Sequence, residues 1–270
     1  MEKLIITAAV VGAELTRDDT PYLPLTPEEI AEEARRACEA GASVVHLHAR
    51  DAGGAPTQDR EVYREIVVRV RDRCDAVIQV STGGAVGMTA EERLQPVELG
   101  PEMASLTAGT VNFGDEVFFN PRGLMVRFAE AMQAHGVKPE LEIFDAGMVA
   151  NARWLERKGL VTPPLHFDFV LGVPGALPAG IKNLFHLAES VPASATWSVA
   201  GIGRHQLPMA AAAVLMGGHA RVGLEDNIFY RAGERAAGNA PLVERVVRVA
   251  RELDREVAGP DEARRILGLA

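Results

Sequence analysis

Short β-type runs and longer helical runs alternate along this chain from near its start to about residue 225, and that alternation limits the fold more than any single motif does. Strand candidates are residues 4–9, 43–49, 76–81, 103–107, 140–144, 166–171, 195–199 and 220–224. Helical sequence follows each of them. The first helix is announced by Thr26 as N-cap, Pro27 at its first position and Glu29 three residues after the cap, with Gly41 as the left-handed stop. Further helices are expected over residues 59–73, 89–97, 121–135, 181–189 and 206–216, with another running to residue 158. Asn120 is the expected cap of the fourth, and Gly136 its stop.

Eight β-then-α units argue for a parallel sheet. A length of 270 residues suits closure of that sheet into a single-domain (β/α)8 TIM barrel. The rival is an open doubly wound sheet. It would use fewer strands, and no G-x-G-x-x-G follows the first one. The Pro/Gly-rich residues 172–180 read as the loop after strand six. Residues 240–270 read as a charged helical extension broken at Gly259-Pro260. Such an extension either covers the barrel or joins a subunit interface.

The formal charge of −9 disfavours nonspecific association with nucleic acid or an anionic membrane. It leaves room for an anionic substrate, because a local arginine or metal can reverse the sign inside a cleft. The two cysteines, Cys38 and Cys74, form no C-x-x-C pair and suit a reducing cytoplasm. The opening MEKLIITAAVVGAE reads as a first strand rather than a signal peptide. No run approaches the ~20 apolar residues needed to cross a bilayer.

The sharpest local feature is Val45-His46-Leu47-His48. Residues i and i+2 of a strand point to one face, so the two imidazoles project together while Val45 and Leu47 face the helices. In a barrel they then point inward, at the strand end where barrel enzymes place their chemistry. Zinc or a similar metal suits two neutral imidazoles, and Glu225, after strand eight, offers a third ligand. The bland alternative is a pair of histidines hydrogen-bonded to neighbouring strands.

Arg221 and Asp226 are either a surface ion pair or an anion clamp and a proton-transfer group beside the metal. Ser81-Thr82-Gly83-Gly84 is either a tight turn or a nest of donors facing a carboxylate or an oxyanion. Glu140 and Glu142 share a face, which points either inward or out to the helices. Ser105 and Thr107 share a face that could line the pocket. His166, His186, His205 and His219 read as caps or packing residues, as do Trp154 and Trp197.

Taken together these stretches resemble the β-keto acid cleavage enzymes. The matching segments are Gly12-Ala-Glu14-Leu-Thr16, His46-Leu-His48-Ala-Arg50-Asp51, Gln79-Val-Ser81-Thr-Gly-Gly84, Pro101-Glu-Met-Ala-Ser105, Glu140-Leu-Glu142-Ile-Phe-Asp145 and Arg221-Val-Gly-Leu-Glu225-Asp226-Asn227. They run in one order from residue 4 to about residue 255. The resemblance implies a zinc-binding (β/α)8 barrel, usually a homotetramer. It also implies a reaction in which a β-keto acid and acetyl-CoA become acetoacetate and a new acyl-CoA.

By the same resemblance His46, His48 and Glu225 hold the metal. Arg221, Asp226 and Ser81 serve the chemistry, and Ser81, Gly84 and Ser105 contact the substrate. The position of Ser105 is often Thr in the family, a small departure that keeps the hydroxyl. Glu14 and Glu142 match two carboxylates that meet a substrate ammonium, which implies 3-keto-5-aminohexanoate, cleaved to 3-aminobutanoyl-CoA and acetoacetate in lysine fermentation. Another β-keto acid is the alternative. Outside the family, a metal-dependent hydrolase barrel and a noncatalytic metal-binding scaffold also remain open. An inward polar cluster drawn from several strands argues against the scaffold, since it costs stability without structural return.

Overall fold

The computed structural model describes residues 1–269. Eight parallel strands close on themselves: β1 Ile6–Ala9, β2 Val44–Leu47, β3 Val77–Val80, β4 Met103–Thr107, β5 Lys138–Ile143, β6 His166–Leu171, β7 Thr196–Gly201 and β8 His219–Val222. Each strand pairs with its sequence neighbours, and β1 closes the ring onto β8. The helices are α1 Pro27–Ala40, α2 Arg60–Arg71, α3 Ala90–Leu94, α4 Arg122–Ala134, α5 Ala146–Arg157, α6 Ile181–Ser190, α7 Gln206–Met216, α8 Ala240–Glu252 and α9 Pro260–Leu267. The fold is the (β/α)8 barrel that the alternation implies.

The strands alternate in character because their two faces meet different surroundings. Val45, Leu47, Ile78, Val80, Leu141, Ile143, Phe167, Phe169 and Val199 join the apolar layer shared with the helices. The opposite face carries Thr7, His46, Gln79, Ser105, Glu140, Glu142, His166, Asp168, Ser198, His219 and Arg221, all buried. Glu140 and Glu142 therefore point inward. Trp197 stacks on Phe169 at 5.4 Å, and Arg122 lies 5.0 Å above the Trp154 ring, so both tryptophans are packing residues.

Helix starts follow local chemistry. Thr26 and Glu29 form the expected capping box, and Gly41 takes φ 119° at the stop. The helix expected over residues 89–97 is split: α3 stops at Leu94 and a 3-10 turn covers Gln95–Leu99. Pro96 has no N–H for the α-helical ladder, which explains the break. The expected cap at Asn120 is corrected. Pro121 occupies the cap position without a side-chain bond. Asn120 is buried instead, its Nδ2 donating to the Thr107 carbonyl at 2.6 Å.

The C-terminal helices have separate tasks. Helix α8 packs on α1 and α7, closing the helical ring. Helix α9 supplies Ala263 and Leu267, which with Ala258 pack under Ile5, Val44, Val77 and Met103, residues at the entry ends of β1 to β4. The segment thus covers the floor of the barrel. Among the described residues no helix is long and apolar enough to cross a membrane.

Candidate active site

The C-terminal strand ends gather the chemistry-bearing residues. Strand β2 carries His46, and His48 follows on the same face just past the strand's end at Leu47. Their rings stand 5.3 Å apart. Strand β8 stops at Val222, so Glu225 comes from the turn after it rather than from the strand itself. That turn lies close against the end of β1. Glu225 N–H donates to the Ala9 carbonyl at 3.2 Å.

Two glycines make the approach possible. A Cβ on Gly223, whose φ is 156°, would lie 2.0 Å from the Ala9 oxygen. A Cβ on Gly12, whose φ is 67°, would lie 2.7 Å from Glu225 Cγ. Gly223→Ala is therefore expected to destabilise the fold by about 2 kcal/mol or more and to weaken metal binding, because Glu225 must move. Thermal melting and a metal titration check this. Wild-type values in both would contradict it.

Glu225 Oε1 stands 3.6 Å from His46 Nε2 and 3.5 Å from His48 Nε2. All three donor atoms lie within 4.8 Å of one another. Two donors each about 2.1 Å from a tetrahedral ion stand roughly 3.4 Å apart, so the two separations from Glu225 to the imidazoles match those around a metal ion. The other Glu225 oxygen, Oε2, is buried without a hydrogen-bond partner, which also points to an ion there. His46 Nδ1 meets Gln79 Oε1 at 2.5 Å. An amide oxygen only accepts, so Nδ1 carries the proton and Nε2 presents its lone pair. Burial lowers the His46 pKa to about 4, which keeps the ring neutral at physiological pH.

Arg221 organises the carboxylates. Its Nε donates to Asp226 Oδ2 at 3.0 Å, and its Nη2 donates to Glu225 Oε1 at 2.6 Å and to Asp226 Oδ1 at 3.0 Å. Burial works against the Arg221 charge, but Asp226, Glu225 and Asp168 together raise its pKa well above the usual value. Burial also opposes ionisation of Glu225. The Arg221 guanidinium overcomes that and holds Glu225 well below the usual carboxylate range. At Glu142, Asp168 and Asp226 burial prevails, raising each carboxyl against the pull of Arg221.

A cavity of about 330 Å³ opens above this cluster. Glu14, His48, Ser81, Gly84, Thr107, Glu142, Arg221, Glu225 and Asp226 line it, with an apolar wall from Val111, Phe113, Phe118 and Phe144. Glu14 is exposed at the rim. Ser81 Oγ accepts from Gly83 N–H at 3.0 Å, which leaves its own proton free to donate into the cavity. Gly84, with φ 63°, leaves no room for a Cβ, which would meet Met88 Sδ at 2.6 Å.

Ser105 lies deeper than the cavity wall. Its Oγ accepts from Thr82 N–H at 3.2 Å, so it supports the loop that carries Ser81. Thr107, two residues on, lines the cavity and donates to Glu142 Oε2 at 2.7 Å. Of the spare histidines, His166 faces Glu140 at 3.2 Å, and His219 Nδ1 accepts from Ile5 N–H at 3.1 Å. Both sit below the metal cluster and pack the barrel interior.

Sequence reasoning passed over Asp168 and Arg93. The signal for Asp168 was an acid two residues after an inward histidine, in His166-Phe-Asp168-Phe. Arg93 is buried between the Phe118 and Phe128 rings, and its Nε donates to the Thr82 carbonyl at 2.7 Å. It ties the Ser81 loop to the apolar wall. Its place on a short polar helix gave no sequence signal.

A closed barrel with such a cluster at its C-terminal mouth, where side chains from several strands converge on one cavity, defines a barrel enzyme with a His-His-Glu site able to hold a metal ion. The comparison with known proteins is more specific. Residues 3–269 match the β-keto acid cleavage enzyme family, and the chain belongs to it.

Among its relatives is the 3-keto-5-aminohexanoate cleavage enzyme of Fusobacterium nucleatum, 54% identical over 271 residues, covering 100% of this chain and 99% of that one. The enzyme of the same name from Acetoanaerobium sticklandii is 52% identical, covering 100% of each chain. More distant is the 3-oxoadipate:acetyl-CoA acetyltransferase of Cupriavidus necator, 38% identical, covering 98% of this chain and 94% of that one. In structure, ObcA in ternary complex with a C4-CoA adduct and oxalate superposes with a TM-score of 0.82. It covers 92% of this chain and 68% of that one, and at 24% identity the likeness speaks for the fold alone.

Proposed function

We propose that this enzyme converts 3-keto-5-aminohexanoate and acetyl-CoA to 3-aminobutanoyl-CoA and acetoacetate. The observation that carries the reading is full-length identity of 54% and 52% with two enzymes named for cleavage of that keto acid. The cavity supports it, because Glu142 on its wall and Glu14 at its rim offer two carboxylates to a cationic tail.

Zinc is the proposed resident metal, since two imidazoles and one carboxylate with an open position suit it. Held by His46, His48 and Glu225, it would polarise the oxygens of the keto acid. Asp226 then takes the proton from the carbon between the two carbonyls. Both its oxygens accept from Arg221 at 3.0 Å, which fixes the carboxyl in place for that transfer. Arg221 stays charged and keeps Asp226 aimed at the substrate. Ser81 donates its hydroxyl proton to a substrate oxygen, and Gly84 lets the backbone approach closely. Ser105 acts through Thr82.

The new carbanion attacks the acetyl carbonyl and releases CoA thiolate. The thiolate attacks the original keto carbon, and the carbon–carbon bond breaks to leave the new thioester and the acetoacetate carbanion, which takes back the proton held by Asp226. We read the whole chain as one domain and the protein as a cytoplasmic homotetramer. Two free cysteines fit the reducing compartment.

The test is a competition among β-keto acids with amino, neutral and carboxylate tails, each with acetyl-CoA and metal-loaded protein. The amino substrate is expected to have the highest kcat/KM. Preference for 3-oxoadipate would transfer the reading to that substrate. Glu142→Gln is expected to lower kcat/KM for the amino substrate by about a hundredfold, as when one partner of a buried charge pair is removed, and to affect the neutral acid far less. Equal losses on both would remove the ammonium from the account.

A further inference from the structure

Arg221 has five N–H donors, and those on Nε and Nη2 serve Asp226 and Glu225. Its Nη1 makes no hydrogen bond. It stands 3.7 Å from Glu142 Oε1 and 3.7 Å from Asp168 Oδ2. These two acids sit opposite one another in register on β5 and β6. Each has its other oxygen fixed by a hydroxyl from the next strand. Thr107 donates to Glu142 Oε2 at 2.7 Å, and Ser198 donates to Asp168 Oδ1 at 2.7 Å. The two differ in access. Glu142 lines the cavity, whereas Asp168 has no exposed surface and does not.

We infer that Asp168 is a specificity-determining positioning residue: by sharing Arg221 Nη1 it keeps that cation from closing onto Glu142, and so leaves Glu142 free for a cationic substrate tail. The inference rests on the amino-substrate reading above. A guanidinium hydrogen-bonded to a carboxylate in a dry cavity is a strong pair. If Nη1 closed the last fraction of an ångström onto Glu142, an incoming ammonium would have to displace it. Asp168 draws the same N–H groups the other way. A purely structural role explains less, since Asp168 Oδ2 is buried without a hydrogen bond, an arrangement that destabilises a fold.

Asp168→Asn keeps the shape and replaces the acid by a neutral amide. Arg221 still faces Glu142, Glu225 and Asp226, so the substitution strands no cation. The experiment is calorimetric titration of metal-loaded protein, without acetyl-CoA, using 3-keto-5-aminohexanoate and the neutral 3-ketohexanoate. Wild type, Asp168→Asn, Glu142→Gln and the double variant are compared. Asp168→Asn is expected to weaken the amino ligand by about tenfold and the neutral one by less than about twofold, with no added loss in the Glu142→Gln background. Ser198→Ala, which frees the Asp168 carboxyl, is expected to shift binding the same way by a smaller factor, and it serves if Asp168→Asn does not fold.

Equal losses on both ligands, no loss on the amino ligand, or a loss additive with Glu142→Gln would overturn the inference while leaving the substrate reading intact. Wild-type protein that favours the neutral ligand would overturn the substrate reading, and the inference with it.

Discussion

His46→Ala is expected to yield folded protein that holds no metal and has lost at least about a thousandfold in turnover, the scale expected when a metal supplies the main electrostatic stabilisation. His46 contributes one of the three converging donor atoms, and Gln79 fixes its tautomer. Its neutral ring is already in the ligand form, because burial holds its pKa at about 4. The variant should fold, since Glu225 and Asp226 keep their hydrogen bonds from Arg221. Elemental analysis gives the metal content, and a steady-state assay gives the turnover. Full activity in metal-free His46→Ala protein would sink the proposed chemistry.

The second large effect is at Asp226. Asp226→Asn should lower kcat by about 10² to 10⁴, the usual worth of a positioned general base, with little change in KM. Asparagine keeps one acceptor for Arg221 but cannot take the proton. Metal content should remain at the wild-type level, because Asp226 is outside the donor trio. Exchange of the keto acid's C2 protons in D2O, followed by NMR without acetyl-CoA, isolates the proton-transfer step and should slow in parallel. Unchanged exchange would assign the base to another residue.

The barrel was legible because strand period, helix caps and glycine stops agree with one another along the chain. Thr26, Glu29 and Gly41 act within one short stretch, and the structure keeps all three roles. Where sequence reasoning failed, a distant partner decided the outcome. Asn120 looks like a cap in its own neighbourhood, but the Thr107 carbonyl claims its side chain. The period of a strand separates its two faces without saying which is inside. Glu140 and Glu142 turn inward because His166 and Arg221, from other strands, meet them there.

Depth along the barrel was also hidden. Ser105 and Thr107 share a face, but Ser105 pairs in register with Glu140 and Thr107 with Glu142, one layer higher. Only the stagger of the closed sheet makes one a support and the other a wall. His46, His48 and Glu225 were easier to find, because H-x-H on a strand is a compact signal and Glu225 follows a strand only one removed from it in the closed ring. Asp168 had no such help, since its meaning depends on Arg221 two strands away.

The most direct measurement follows labelled carbon. Metal-loaded protein is mixed with 3-keto-5-aminohexanoate and acetyl-CoA labelled in the acetyl group, and the products are weighed by mass spectrometry. The proposed sequence of bonds puts the label in acetoacetate and leaves 3-aminobutanoyl-CoA unlabelled. Label in the aminoacyl-CoA, or absence of either product with this keto acid, would contradict it.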